Sequence, residues 1–122
     1  MSLVDPVTLE LVTKALDAAG LRQAVLAQNI ANANVAGYKP ARVSFEDQLA
    51  QVRGALNRGE SVSSAELANV GAIVQPDDTA GDVELDSQVA AMSQNALQYQ
   101  ALLKAIDSEL GLVSLAVSDG KR

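Results

Sequence analysis

Cysteine, histidine and tryptophan are absent from this 122-residue chain, and Tyr38, Phe45 and Tyr99 are its only aromatic residues. Without cysteine there is no disulfide framework, no thiol nucleophile and no thiolate metal site; without histidine the usual general base and the other common zinc ligand are gone. Carboxylates, lysines, tyrosines and serines remain, but not in a pattern that suggests chemistry. Ser61, Ser63 and Ser64 sit in a glycine-rich stretch with nothing apolar enough to desolvate a Ser–Lys pair. Asp77, Asp78, Asp82, Glu84 and Asp86 lack the ligand spacing and terminal Glu of a calcium loop, and read as a solvated helix entrance. No catalytic residue, cofactor or metal is therefore expected. Basic residues are also scarce, 9 against 15 acidic ones, for a net charge of −6. The surplus lies in residues 62–122, with three basic and nine acidic side chains. With no basic stripe interleaved with aromatics, nucleic acid is a poor partner. No apolar run approaches the roughly 20 residues that span a bilayer, and no charged start precedes an apolar signal-like segment. The chain is expected to be made in soluble form.

What the sequence does contain is helical periodicity at both ends. Residues of about 6–36 read as one helix, with Asp5 as N-cap, Pro6 in the first turn, and Gly37 and Pro40 as the stop. Leu9, Val12, Leu16, Ala19, Gln23, Leu26, Ile30 and Ala33 alternate in steps of three and four, a heptad seam with one polar member. Gly20, in mid-helix, costs about 1 kcal/mol relative to alanine and marks a bend or a close helix crossing. At the other end Leu85, Val89, Met92, Ala96, Tyr99, Leu103, Ile106, Leu110, Val113 and Val117 keep the same alternation without a miss. That predicts a long helix beginning between Asp82 and Asp86 and reaching Val117, with carboxylates at its positive end. Between the two, the period disappears. Ser44 and Asp47 resemble a capping box for a short helix, Ala72–Gln75 is the only stretch apolar enough for a short strand, and about 54–81 reads as loosely folded. Removing residues 60–75 is accordingly expected to be tolerated better than an equal deletion in either helix.

A helix of some 32–36 residues is about 50 Å long, whereas a compact domain of this size is about 35 Å across. The expected fold is therefore all-α: an elongated antiparallel hairpin of the N- and C-terminal helices, with a loosely structured central segment at one end. Its parts are residues 1–49, the first helix and the corner after it; residues 50–81, the flexible centre; and residues 82–122, the second helix. Both helices carry a second apolar stripe: Leu11, Ala15, Ala18 and Val25 on the first, and Ala90, Leu97, Ala101, Leu112 and Leu115 on the second. A helix apolar on more than one side needs cover on more than one side. Other chains are expected to supply it, the alternative being a central segment that folds back as a third helix.

The stretch Arg22-Gln23-Ala24-Val25-Leu26-Ala27-Gln28-Asn29-Ile30-Ala31-Asn32-Ala33-Asn34-Val35-Ala36-Gly37-Tyr38-Lys39, followed by Val43 and Phe45, resembles the signature R-x-x-V-L-A-x-N-I-A-N-A-x-T-P-G-Y-K of bacterial flagellar rod and hook axial proteins, in the form typical of proximal rod subunits. Residues 82–86 and 95–102 are similar to that family's second segment. Val35-Ala36 stands in place of the family's Thr-Pro, and the acidic run at the second helix start is thinned to Glu84 and Asp86. The residues make sense without the family as well. Asn29 and Asn32 can reach backbone groups of the following turn, Gly37 can take a positive φ, and Tyr38 is an amphipathic anchor after it. These residues either stop the helix or touch a neighbouring subunit, and one corner can do both.

The resemblance implies a structural subunit of the proximal rod, placed in the flagellar basal body and exported by the flagellar type III apparatus without a cleaved signal peptide. Its implied partners are other rod subunits, the rod adaptor and the membrane ring, and its implied work is to connect motor to drive shaft and transmit torque. The expected assembly interface is Leu16, Leu26, Ile30, Met92, Tyr99, Leu103 and Ile106, with Met92 and Tyr99 most simply read as packing residues of the seam. Asn29, Asn32, Gly37 and Tyr38 are expected to set the corner. The alternative is a soluble helical adaptor or secretion chaperone that offers its seams to one partner and saturates at a fixed ratio.

Overall fold

Two long helices run antiparallel in the computed structural model, which describes residues 6–78 and 83–120. The elements in chain order are α1 (Pro6–Ala31), β1 (Ala41–Ser44), α2 (Glu46–Asn57), α3 (Ser64–Ala68), β2 (Ile73–Pro76) and α4 (Leu85–Gly120). The 36 residues of α4 span about 54 Å at the α-helical rise. Both long helices stand where periodicity predicts them, and the strand expected near residues 72–75 is β2. The expected N-cap Asp5 and the possible start at Asp82 lie outside the described residues. No helix among the described residues is long and apolar enough to cross a membrane.

The hairpin's direction and register are set by polar contacts. Asn29 Nδ2 donates to Gln88 Oε1 at 3.0 Å, while Asn95 Nδ2 donates to the Ala19 carbonyl and to Gln23 Oε1, both at 2.8 Å. Moving back along α1 thus means moving forward along α4. Counting from the Asn29–Gln88 contact, Pro6 stands level with Gly111, so residues 112–120 of α4 extend past the described part of α1.

The first helix stops five residues before the expected end. After Ala31 the amides of Ala33, Val35 and Tyr38 each reach back three residues, to Ile30, Asn32 and Val35. Asn32 Nδ2 binds the Gln28 carbonyl at 2.8 Å, and Gly37 takes φ +78°, where an L side chain would be strained. Turns with a three-residue reach are tighter than the α-helix and use up its carbonyls as the chain swings away.

The centre is the main departure from expectation. Rather than a loose segment, residues 41–78 form two short helices and an antiparallel ribbon with Ala41 opposite Pro76, Arg42 opposite Gln75, Val43 opposite Val74 and Ser44 opposite Ile73. Ser44 is the last residue of β1 and caps nothing; α2 starts after Phe45, which makes no side-chain cap bond. The capping box lies further on, where Ser63 Oγ accepts from Glu66 N and Glu66 Oε2 accepts from Ser63 N. Phe45, Val52, Leu67 and Val70 bury themselves against Ala18, with Val7, Leu11 and Ala15 of α1 at the margin of this core. The second apolar stripe of α1 is therefore covered by the chain's own centre. Other chains are not needed there, because Leu11, Ala15 and Ala18 already have their apolar partners. The second stripe of α4 remains bare: Leu97 is 68% exposed, and Leu112 and Leu115 are exposed to a similar degree.

Candidate functional site

The corner is held by one asparagine. Asn29, 1% exposed, uses its side-chain amide as a strand would: Oδ1 accepts from the Ala41 amide at 3.1 Å and Nδ2 donates to the Ala41 carbonyl at 2.9 Å. Tyr38 Oη donates to the same Oδ1 at 3.0 Å, and Nδ2 also reaches Gln88 of α4. One residue of α1 therefore ties together the turn, β1 and the opposite helix. Seven residues earlier, Arg22 Nη2 donates to the Val43 carbonyl at 3.1 Å and forms an ion pair with Glu46 at 2.6 Å. Ala41 and Val43 are the β1 residues whose backbone faces away from β2, so α1 side chains close the edge of the ribbon that would otherwise be open. Asn32 has only its local bond to Gln28 and takes no part in the junction, although sequence treats it like Asn29.

The two helices do not meet along the apolar seam of α4 as expected. The buried line of α4 is set about one residue earlier, through Gln88 and Asn95, with Asn95 only 4% exposed. Met92, Ala96 and Ile106 are half-buried, while Leu85, Val89, Tyr99, Leu103 and Leu110 stay exposed on the flank. The polar contacts of Asn95 and Gln88 to α1 turn the helix by about the 100° that one residue represents. On α1, Leu26 is buried within the chain, and Leu16 and Ile30 are half-buried.

Two different faces result. Ala18, Arg22 and Val25 lie on the side of α1 that carries β1, α2 and α3. Leu9, Gly20 and Ala27 lie on the other side and are exposed, next to the exposed flank of α4. No described segment covers that second face. A groove of about 340 Å³ runs along it, bounded by Ala19, Gly20 and Gln23 of α1 and Asn95, Ala96, Tyr99 and Gln100 of α4. Sequence reasoning missed Asn95, Gln23 and Gln88 as partners; the signal available was amide side chains within an otherwise apolar helix.

The described residues contain no cluster of His, Cys, Asp or Glu placed to hold a metal ion. A hairpin covered on one face by its own centre and exposing apolar residues on the other falls in the class of elongated, mostly helical proteins with an uncovered helical face. A family model described as flagella basal body rod protein matches residues 10–39, a span that ends with the corner built on Asn29. Over 123 aligned residues, 93% of this chain and 95% of the relative, the chain is 27% identical to the flagellar basal body rod protein FlgB of Bacillus subtilis (strain 168). Both similarities support reading the chain as a structural subunit of the flagellar basal-body rod, a setting that implies association with other rod and basal-body components.

Proposed function

We propose that this subunit builds the proximal rod by repeated side-by-side packing of hairpins, each open face lying against a neighbour. The observation that carries the reading is the asymmetry of the hairpin, with α2, α3 and the ribbon on one side and exposed Leu9, Val89, Tyr99, Leu103 and Leu110 on the other. Several hundred Å² of apolar area hidden there contributes on the order of 10 kcal/mol per contact before ordering terms. A non-closing operator then repeats such contacts into a shaft, which bears torque because many of them act in parallel. In this reading the N- and C-terminal helices form the inner layer, Leu16, Ile30, Met92, Tyr99, Leu103 and Ile106 line or border the contact, and the Asn29–Tyr38 corner sets the angle at which the centre projects. Leu26, being buried, supports the interface from within. Export by the flagellar type III apparatus without a cleaved signal, contact with the rod adaptor and membrane ring, and the absence of catalytic work belong to the same proposal.

Leu103→Asp tests it. Leu103 is 39% exposed, so the isolated chain keeps its fold by circular dichroism, while the variant is missing from isolated basal bodies and the cells do not swim. Normal motility with normal occupancy of the basal body overturns the interface.

A further inference from the structure

Gly20 has no reason to be glycine within the chain itself. It lies in the interior of α1, its φ is ordinary, and a Cβ built there meets no atom within 4 Å. A helical glycine weakens the fold relative to alanine, and here no contact among the described residues explains it. It also lies on the rim of the open-face groove, with Gln23, Asn95, Ala96, Tyr99 and Gln100. A second observation marks the same place. Asn95 is 4% exposed and donates both ways from Nδ2, but its Oδ1 is buried with no hydrogen-bond donor. A buried acceptor left without a donor is unfavourable by itself, and this one belongs to a residue that lines the groove.

The far end of α4 offers exposed apolar side chains. Residues 112–120 extend past the described part of α1, and Leu112, Leu115 and Val117 are exposed on a stretch against which no described segment packs. This end also carries a hydroxyl donor, Ser118. Groove and ridge cannot meet within one molecule: Tyr99 and Leu115 stand on the same continuous helix, about 24 Å apart.

We infer that the notch at Gly20 receives the C-terminal end of α4 from a second copy of this chain, a head-to-tail contact in which the missing Cβ lets the two helices approach closely. The inference rests on the rod-subunit reading and adds to it the occupant and the point of closest approach. The contact is heterologous, since the groove of one copy takes the ridge of the next, and each copy keeps its own ridge free for a further addition.

The chain's lack of cysteine makes a direct test available. Gln100→Cys on the groove rim and Leu115→Cys on the ridge are made in separate, co-expressed copies, and basal bodies are isolated and mildly oxidised. The expected result is a disulfide-linked pair containing one of each, absent when either cysteine is present alone. If neither variant is found in basal bodies, the rod reading fails. If both are present and the mixed pair does not form, or if either links only to a different rod protein, the rod reading stands and the groove assignment is overturned. Gly20→Ala and Gly20→Leu provide the second measurement. Alanine lowers the unfolding equilibrium constant of the isolated chain about two- to five-fold, and leucine, whose side chain fills the notch, abolishes incorporation while the purified chain remains folded. Wild-type incorporation of Gly20→Leu also overturns the proposal.

Discussion

Replacing Asn29 with alanine separates a structural corner from a mere helix stop. The substitution removes four hydrogen bonds: two to the backbone of Ala41, one from Tyr38 Oη and one to Gln88. Tyr38 is half-buried and Gln88 is partly exposed, so both recover part of their bonding from water; the Ala41 amide and carbonyl face α1 and recover less. Taking about 1 kcal/mol for each backbone bond lost and about half that for the other two gives roughly 3 kcal/mol. For a chain of this length that lowers the thermal midpoint by about 10 °C. Asn32→Ala is the matched control, since it loses a single local bond on the surface and should fall within about 0.5 kcal/mol of wild type. Urea and thermal unfolding of the purified variants measure the difference, and hydrogen exchange at the Ala41 amide locates it, with faster exchange in Asn29→Ala only. Equal destabilisation by the two substitutions, or unchanged protection of Ala41, would refute the assignment of Asn29 as the junction between α1, β1 and α4.

Changing Leu67, 2% exposed in the core with Phe45, Val52 and Val70, to alanine should cost about 3 kcal/mol of stability, measured by urea unfolding. Deleting residues 60–75 should be worse still, because it uncovers Phe45 and Ala18 and removes most of the partner of β1; the deletion that sequence ranks as milder than one in either helix should give a protease-sensitive chain. Gly37→Ala should cost about 1 kcal/mol because φ is +78° there, whereas Gly20→Ala should stabilise, and thermal melts of the pair should move in opposite directions.

The two long helices and their antiparallel pairing were legible because they need only periodicity and length. The steps of three and four from Leu85 to Val117 admit no other regular structure, and a 36-residue helix cannot fit inside a sphere of this mass. The corner was also legible as a location, in Asn29, Gly37 and Tyr38. What Asn29 binds was not, because its partners at Ala41 and Gln88 lie 12 and 59 residues away and a local pattern carries no information about them. The centre was misread for a related reason. Four residues of β1 and five of α3 are too short to show a period, and glycines at 54, 59 and 71 look like breaks until Phe45, Leu67 and Val70 are seen to share one core. Gly59, at φ +75°, is a turn between two ordered elements.

From sequence alone came the all-α hairpin and the positions of its two rods, because amphipathic spacing is a property of each segment by itself. Only the tertiary structure decided which apolar stripe is used inside the molecule and which is left exposed. That choice turns on two buried amides: Asn95 binding Ala19 and Gln23, and Asn29 binding Gln88, rotate α4 by about one residue and leave its best hydrophobic line at the edge of the contact. The Nδ2 donors of both asparagines are satisfied at the expense of leaving leucines in water, since a buried donor without an acceptor is the more costly alternative.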